Sequence, residues 1–259
     1  MEFFTILLSA LLGILSPAGF VVDRLAEDAI RDQLDSAEAL AVRIDNAPGY
    51  QVLQGRADRI RIAGRGIYPI EGVRIDTLEV ETDPIALNPD GFQQGDPQLE
   101  QPLQAAIKVV LTETDLNQAL QSEPIVDQLN DFNLAALGTE SEGQAEEYTL
   151  VNPQAEFLEN NRLRLQITLQ EEQSGTQNII TVESGLAIGS GRQLQLVEPS
   201  IAVDDQPLPP ELLDFLVGNL SERLDLANLE ESGITARVLK LEITGDQLTL
   251  IGFVRVEPQ

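Results

Sequence analysis

The chain has 259 residues and a formal net charge of -27, and it contains neither cysteine nor histidine. Their absence excludes disulfides, thiolate nucleophiles, Ser-His-Asp triads and the H-E-x-x-H metal site. The chain also lacks the usual glycine-rich phosphate loops. Its acidity argues against nucleic-acid binding, because phosphate neutralisation supplies most of that affinity. We therefore expect no cofactor, no metal and no nucleic-acid partner.

The chain begins with an apolar run, FFTILLSALLGIL, at residues 3–15. This is the length of the apolar region of a signal peptide. A membrane span needs about 20 apolar residues, which the run reaches only by including Ser16, Pro17 and Gly19. An export signal and a retained anchor fit equally, and a core helix fits less well because the run has no polar face. We predict a signal or anchor segment at residues 1–20 and a membrane-associated or exported protein.

Residues 21–35 have apolar side chains at helical spacing and a mixed, acidic polar face. This pattern favours a helix packed on a sheet over a membrane-surface helix, which is usually rich in lysine and arginine. From Leu40 the alternation has period two and predicts strands over 40–44, 57–63 and 73–82, with Gly64–Gly66 between the last two. The apolar register of the third strand shifts between Ile75 and Leu78, which predicts a bulge or a bend.

Residues 83–97 are rich in proline, glycine and glutamine and read as a loop, whereas 105–111 read as a central strand. Thr112 and Asp115 have the spacing of a capping box at the start of a helix. Pro124 is expected to break or kink that helix.

The second half of the chain reads as further strands joined by short turns, followed by one more helix. Amphipathic spacing after Pro207–Pro210 predicts a helix that continues to Leu224, and Gly233 ends the helical region. The strands connect by turns rather than by helical crossovers, which favours an antiparallel α+β domain with few long helices packed on a strongly curved sheet. No linker is visible, so we predict one domain over residues 21–259. The predicted strands are 162–170, 179–188, 194–203, 238–243 and 248–256.

A basic stretch between residues 46 and 88 stands out in this acidic chain. Between Arg56 and Arg74 the local charge is +3, because the only acids there are Asp58 and Glu71. The simplest interpretation is a solvated sheet face whose arginines pair with carboxylates. The alternative is a patch that contacts phospholipid headgroups or an anionic bilayer, where each basic residue contributes about 1 kcal/mol. The candidate contacts are Arg56, Arg59, Arg61, Arg65 and Arg74.

The apolar strand faces also have two interpretations, because a packed core and a groove for acyl chains need the same residues in the same places. Arg162 and Arg164 repeat the arginine pattern on a later strand and could extend the same face. The candidate groove residues are Val22, Leu25, Ile60, Ile62, Leu163, Leu165 and Ile167.

The acidic residues are more typical of solvated loops than of metal-binding or catalytic sites. Asp204-Asp205 and the acids of 140–147 lack the spacing of a calcium-binding loop. A carboxylate pair for glycoside hydrolysis stays open as a hypothesis, although the chain has few aromatic residues to line a sugar cleft. The turn Gly189-Ser190-Gly191 resembles a nucleophile turn, but no histidine is available as its base.

Several short motifs, in order, resemble the LmeA-like phospholipid-binding proteins, a bacterial family frequent in cyanobacteria and long described as a domain of unknown function. The resemblance covers roughly residues 22–256. The motifs are Leu53-Gln54-Gly55-Arg56-Ala57-Asp58, Arg61-Ile62-Ala63-Gly64-Arg65-Gly66, Gly72-Val73-Arg74-Ile75-Asp76, Glu81-Thr82-Asp83, Val110-Leu111-Thr112-Glu113, Asp115-Leu116-Asn117 and Gly233-Ile234-Thr235-Ala236-Arg237.

The resemblance implies a membrane-associated or exported protein that binds phospholipid without cleaving it, and it brings no catalytic residues. It also implies a fold similar to tubular lipid-binding domains, in which a bent antiparallel sheet wraps a long helix beside an apolar cavity. We therefore expect a non-enzymatic lipid-binding protein of the cell envelope. The alternative is a structural or scaffolding envelope protein with a packed core and no ligand.

Overall fold

The computed structural model describes residues 27–28, 30–46, 51, 54–88, 98–130, 148–171, 175–209, 213, 217–218 and 225–258. These residues form two compact units. The first draws on residues 1–111, 226–240 and 249–259, and the second draws on 112–225 and 241–248. The sequence shows no linker inside residues 21–259, so its pattern does not indicate this division.

Strands make up most of the described chain, and helices are few. The helices that the structure describes from end to end are α1 (Glu113–Leu120), α2 (Glu123–Asn130) and a 3₁₀-helix (Leu226–Ser232). The strands are β1 (Ser36–Asp45), β2 (Arg56–Ala57), β3 (Arg59–Ile70), β4 (Val73–Thr82), β5 (Ile85–Ala86), β6 (Leu103–Thr112), β7 (Tyr148–Leu158), β8 (Arg162–Glu171), β9 (Gln177–Gly189), β10 (Gln193–Val203), β11 (Gln206–Pro207), β12 (Ile234–Thr244) and β13 (Gln247–Val256).

The first unit is built mainly on a six-stranded sheet in the order β1-β3-β4-β6-β13-β12. The pairs β1–β3, β3–β4 and β4–β6 are antiparallel. Strand β6 therefore lies inside the sheet, as its nearly continuous apolar sequence predicts. The hairpin β12–β13 turns at Gly245, whose φ of 61° suits a glycine. The short strands β2 and β5 form a separate two-stranded pair.

Three neighbouring strands of this sheet change the face that they bury at the same level. Leu40, Gly64 and Leu78 lie side by side on β1, β3 and β4, and all three are buried. Three residues away, Ile67 and Ile75 are paired and also buried, and Ala37 of β1, opposite Ile67, packs against the same core. Residues three apart in a regular strand point to opposite faces. The sheet must therefore be creased at this level.

The crease confirms the shift predicted between Ile75 and Leu78, but the pairing irregularity itself lies further on, between Ile67 and Ile70. The prediction that Gly64–Gly66 separates two strands was wrong. Strand β3 continues through both glycines to Ile70. Gly66 has a φ of 54°, so it turns the chain locally while the ladder to β1 and β4 is kept.

The core of the first unit is aliphatic and closely packed. Ile30 extends it from a helical segment in which residues 27, 28, 30 and 31 are described, and this segment ends before the predicted end at residue 35. The loop predicted at 83–97 was wrong in its first part, because Ile85 belongs to β5 and Leu87 bridges to Leu99. Both Ile85 and Leu87 are almost completely buried, at 2% and 0% exposure.

Helix α1 begins with the capping box that the sequence predicts. Thr112 Oγ1 accepts a hydrogen bond from the Asp115 N–H at 3.1 Å, and the Thr112 N–H donates to Asp115 Oδ2 at 3.0 Å. The helical region breaks at Gln121 and Ser122, and Pro124 then occupies the second position of α2. A proline is tolerated there because the first helical N–H groups have no partner within the helix.

The second unit contains a five-stranded sheet in the order β11-β10-β9-β8-β7, in which every neighbouring pair is antiparallel. One face is apolar across the strands, with Leu165 between Ala155 and Val182 and with Ile167 beside Ile180. The hairpin β9–β10 turns at residues 190–192, as predicted, and Ser190 and Gly191 both have positive φ.

The predicted antiparallel architecture with few helices is therefore confirmed, and both sheets are open as far as the structure describes them. The predicted long helix falls mostly outside the described residues; of 208–224, positions 213, 217 and 218 are helical. Among the described residues, no helix combines the length and apolar character that a membrane crossing requires. Residues 1–20, the predicted signal or anchor segment, lie outside the described part.

Candidate functional site

Strand β3 places Arg59, Arg61 and Arg65 on one face and Ile60 and Ile62 on the other, as the alternation predicts. The two isoleucines are buried in the core at 0% and 2% exposure. We call the opposite face of β1, β3, β4 and β6 the arginine face. It belongs entirely to the first unit.

Two arginines of this face share one carboxylate. The Arg61 guanidinium donates to Asp45 Oδ2, and Arg43 Nε donates to Asp45 Oδ1 at 2.8 Å. The hydrogen bond from Arg61, followed by that from Arg43, holds the pKa of Asp45 below its usual value although desolvation opposes this shift. The same contact raises the pKa of Arg61. The three side chains therefore form a charged cluster.

The other predicted arginines mostly have carboxylate partners too. Arg59 pairs with Glu81 at 3.1 Å and Arg56 with Glu100 at 3.7 Å. Arg74 is largely buried and contacts Glu38 at 3.1 Å and Asp76 at 3.4 Å.

Arg65 differs from the other four because it is exposed and makes no ion pair with any described residue. The five arginines therefore do not form one uncompensated basic patch. Arg56 lies on the separate β2–β5 pair, whereas Arg59, Arg61 and Arg65 share the arginine face.

A pocket of about 480 Å³ opens on the arginine face. Its floor includes Ala41 and Ala63, which are directly paired between β1 and β3, and Ala106 of β6. Small side chains leave the backbone surface low at these positions, while longer side chains rise around them. The volume lies within the range of small-molecule sites.

The charged side chains around this pocket have one sign on each strand. Arg43 and Arg61 are paired across β1 and β3, and Glu79 and Glu81 follow on β4. Lys108 on β6 lies opposite Glu79 and contacts it at 3.3 Å. The pocket therefore presents a basic column, an adjacent acidic column and a second basic position.

Sequence reasoning did not select Arg43, Glu79, Glu81 or Lys108 as site residues. A signal was available, because Lys108 interrupts the otherwise apolar run 105–111 of β6 and so has to reach an open face. The acidic column was hidden by a general excess of acids, 43 in the whole chain. Only the strand pairing brings these side chains beside the arginines.

The predicted groove residues fall into three groups. Val22 and Leu25 lie outside the described residues. Ile60 and Ile62 are packed in the core of the first unit, and Ile62 is also among the residues that line the pocket. The remaining three, Leu163, Leu165 and Ile167, are half-buried on the apolar face of the five-stranded sheet in the second unit.

Arg162 and Arg164 lie on β8 and therefore belong to a different sheet from Arg59 and Arg61, so they do not extend the arginine face. Both contact Glu183, at 3.1 Å and 3.2 Å, and Arg164 also contacts Glu156 at 2.5 Å. These carboxylates raise the pKa of Arg164, with Glu156 contributing most. These ion pairs give the second sheet a charged face opposite its apolar one.

The acidic turn at Asp204-Asp205 has a structural role. The Asp204 carboxylate accepts hydrogen bonds from the Ile179 N–H at 2.9 Å and from Asn178 Nδ2 at 2.8 Å. The first of these contacts is the main cause of a lowered pKa for Asp204. Within the described ranges, no three acidic side chains are grouped closely enough to hold a metal ion.

Helix α1 is tied to the free edge of β7 by two side chains. Asn117 Nδ2 donates to the Ala155 carbonyl and the Ala155 N–H donates to Asn117 Oδ1, both at 2.8 Å. The Phe157 N–H donates to Glu113 Oε2 at 2.7 Å. A polar pocket of about 440 Å³ lies here. Because its polar groups already hold the helix to the strand, we assign it a structural role.

A protein-family model described as LmeA-like phospholipid-binding matches residues 15–253. The match spans both compact units and extends beyond the described residues at its start. No curated protein and no solved structure matches the chain.

Proposed function

We propose, from the premise that the chain belongs to the LmeA-like phospholipid-binding family, that it binds phospholipid or another acyl lipid without cleaving it. The observation that carries the proposal is the extent of the family match, which includes nearly all of both units. We propose further that the fold is that of tubular lipid-binding domains, in which a curved sheet surrounds a long helix. We also propose that the protein is membrane-associated or exported to the cell envelope.

The apolar face of the second unit is the better candidate for acyl chains. Leu163, Leu165 and Ile167 keep part of their surface accessible, whereas Ile60 and Ile62 have almost none left. An acyl chain gains about 0.8 kcal/mol for each CH₂ group that it buries. A half-buried aliphatic surface can supply that gain without opening a packed core, so we place the acyl-chain contact on β8 and its neighbours.

The arginine face of the first unit is the candidate contact for headgroups or a membrane surface. Arg65 supports this assignment best, because it is exposed and has no ion-pair partner among the described residues. The paired arginines can contribute only by exchanging their carboxylates for a phosphate. The first contact with a headgroup is therefore expected at Arg65, and the contribution of Arg74, which is largely buried, is expected to be small.

Tryptophan fluorescence can test the acyl-chain site, because the chain has no tryptophan. Leu165→Trp places a single reporter on the apolar face, and Gln166→Trp places it on the opposite face of the same strand. Phospholipids brominated in their acyl chains should quench the first reporter by at least about half and leave the second nearly unchanged. Equal quenching of both, or of neither, contradicts the proposed site.

Extraction of lipid from the purified protein tests the function itself. We expect intact phospholipid to co-purify and to be identified by mass spectrometry, with no lysolipid or free fatty acid formed during incubation. If no lipid co-purifies and Leu165→Trp is not quenched, the protein is better described as a structural envelope protein with a packed core. Release of cleaved lipid would instead identify an enzyme.

A further inference from the structure

We propose that the alanine-floored pocket on the arginine face recognises a zwitterionic headgroup in which a phosphate is joined to a primary ammonium group, as in phosphoethanolamine. The inference rests on the proposed phospholipid binding and adds the headgroup class. It is carried by the order of charges across β1, β3, β4 and β6, by their existing partners and by the side chains that line the pocket.

The spacing of the charges matches such a headgroup. Arg43 and Arg61 form the basic column on β1 and β3, and Glu79 and Glu81 form the acidic column on the next strand. Adjacent strands lie about 4.7–4.9 Å apart. A phosphate and an ammonium joined by two carbon atoms span about one such spacing. The phosphate can therefore lie over Arg61 on β3 while the ammonium lies over the glutamates on the adjacent strand β4.

The existing ion pairs disfavour a purely anionic headgroup. The cations around the pocket are already paired, with Arg43 and Arg61 on Asp45 and Lys108 on Glu79. An anionic headgroup that takes a cation from its partner leaves a carboxylate without compensation. A zwitterionic headgroup brings a cation together with its anion, so the net charge around the pocket stays the same when it binds. Electrostatic complementarity of this kind selects between ligands more than it raises affinity.

The lining residues favour a primary ammonium over a quaternary one. Quaternary ammonium groups are recognised in cages of aromatic side chains, and none of the described residues that line this pocket is aromatic. A primary ammonium has hydrogen atoms to donate, and carboxylates accept them. Glu79 and Glu81 are paired with Lys108 and Arg59, but their side chains are about half exposed, at 54% and 52%, and a carboxylate can accept further hydrogen bonds. The paired guanidinium groups suit the phosphate, which they can bind through two hydrogen bonds each.

The test uses water-soluble headgroup probes with the full chain, so that acyl chains do not contribute. Binding of glycerophosphoethanolamine, glycerophosphocholine and glycerophosphoglycerol is followed by titration of backbone amide signals, with Ala63 and Ala106 as reporters in the pocket floor. We expect glycerophosphoethanolamine to bind about tenfold more tightly than the other two probes. Equal affinity for all three, or no detectable binding of any, overturns the inference.

Variants separate the two halves of the site. The double substitution Glu79→Gln and Glu81→Gln should remove the preference for ethanolamine over choline, and Arg61→Gln should weaken all three probes by about tenfold. Glu156→Gln is the matched control, because Glu156 is also half exposed and paired with an arginine, but on the second sheet. A preference that survives the double substitution, or falls equally in the control, contradicts the proposal.

Failure of this inference can be told apart from failure of the proposed function. Quenching of Leu165→Trp by brominated lipid reports acyl binding in the second unit, whichever headgroup the first unit prefers. If quenching is seen and the three probes bind equally, the headgroup inference is wrong and phospholipid binding stands. If neither is seen, both are wrong.

Discussion

Asp45 shows at the scale of single residues why the arginine face is not simply basic. Its two carboxylate oxygens accept from Arg61 and Arg43, which come from β3 and from its own strand. Cross-strand pairing brings Arg43 and Arg61 directly opposite each other. Like charges at such positions repel, and the shared carboxylate offsets that repulsion. Surface pairs of this kind contribute little stability, so their main effect is to fix the orientation of the guanidinium groups.

The pKa of Asp45 gives a direct test of this cluster. Because its folded pKa lies below the ordinary value of about 3.9, the pair contributes stability above that pH and loses it as the pH falls through the folded pKa. Arg61→Gln should raise the pKa of Asp45 towards the ordinary value, with Arg43→Gln having a smaller effect. Carboxyl carbon NMR titration measures both.

Asp204 is the control for this titration, because its lowered pKa comes from Ile179 and Asn178 rather than from an arginine. Its pKa should stay the same in both variants. If Asp45 is unchanged in Arg61→Gln, the contact does not hold in solution.

Helix α1 explains a sequence motif at the scale of secondary-structure elements. In the run Thr112-Glu113-Thr114-Asp115-Leu116-Asn117, the first and fourth residues cap the helix and the second and sixth bind the edge of β7. Exposed edge strands invite pairing with other chains, and proteins commonly cover them. The motif therefore starts a helix and covers a sheet edge with the same few residues.

Asn117→Ala should destabilise the second unit, because the Ala155 N–H and carbonyl group lose their partner in a buried position. The expected loss is about 2 kcal/mol, measured from the urea midpoint. The Ala155 amide should also exchange its hydrogen faster. Gln118→Ala on the same helix is the control, and its exposed side chain predicts a change within about 0.5 kcal/mol. Equal effects of the two substitutions would mean that the hydrogen bonds from Asn117 to β7 do not stabilise the fold.

The elements show which parts of this protein can be predicted from local pattern. The strands β8 and β13 and the capping box at Thr112 depend on neighbouring residues, and the sequence predicted all three correctly. The continuity of β3 through Gly64 and Gly66 depends on pairing with β1 and β4, which lie far away in sequence. Local turn chemistry therefore suggested a boundary where the sheet keeps a strand.

Only part of the candidate site could be predicted, because the rest depends on pairing between strands that are distant in sequence. Alternation alone places Arg59 and Arg61 opposite Ile60 and Ile62. It does not reveal that Glu79 and Glu81 lie beside those arginines, or that Lys108 completes the row. The division into two units also depends on contacts between distant segments, such as those that bring residues 226–240 to the first unit. No linker composition marks that division.

Net charge acts at the scale of the whole molecule. With 43 acidic and 16 basic residues, most carboxylates have no cation to pair with. Self-repulsion of this kind destabilises the compact state, whereas the local pairs on the arginine face oppose it. The repulsion acts over longer distances and is removed by salt, because the Debye length falls from about 30 Å at 0.01 M to about 8 Å at 0.15 M.

We therefore expect added salt to stabilise the protein at pH 7. Raising sodium chloride from about 0.01 M to 0.15 M should raise the melting temperature by about 2–4 °C for each kcal/mol of repulsion removed. The same series near the isoelectric point, about pH 4.1, is the control and should show little change. A melting temperature that falls with salt at pH 7 would show that local ion pairs outweigh the repulsion.

The crease across β1, β3 and β4 has a consequence for how these strands find their alignment. In a flat sheet a slip by two residues keeps every side chain on its own face, so the hydrophobic pattern alone does not prevent it. Here each strand changes face at one level, and a slip of any length separates those levels. Ile67 would then no longer lie beside Ile75, and buried and exposed positions would meet across the ladder. The crease therefore favours a single register of the three strands, in which their changes of face lie at the same level.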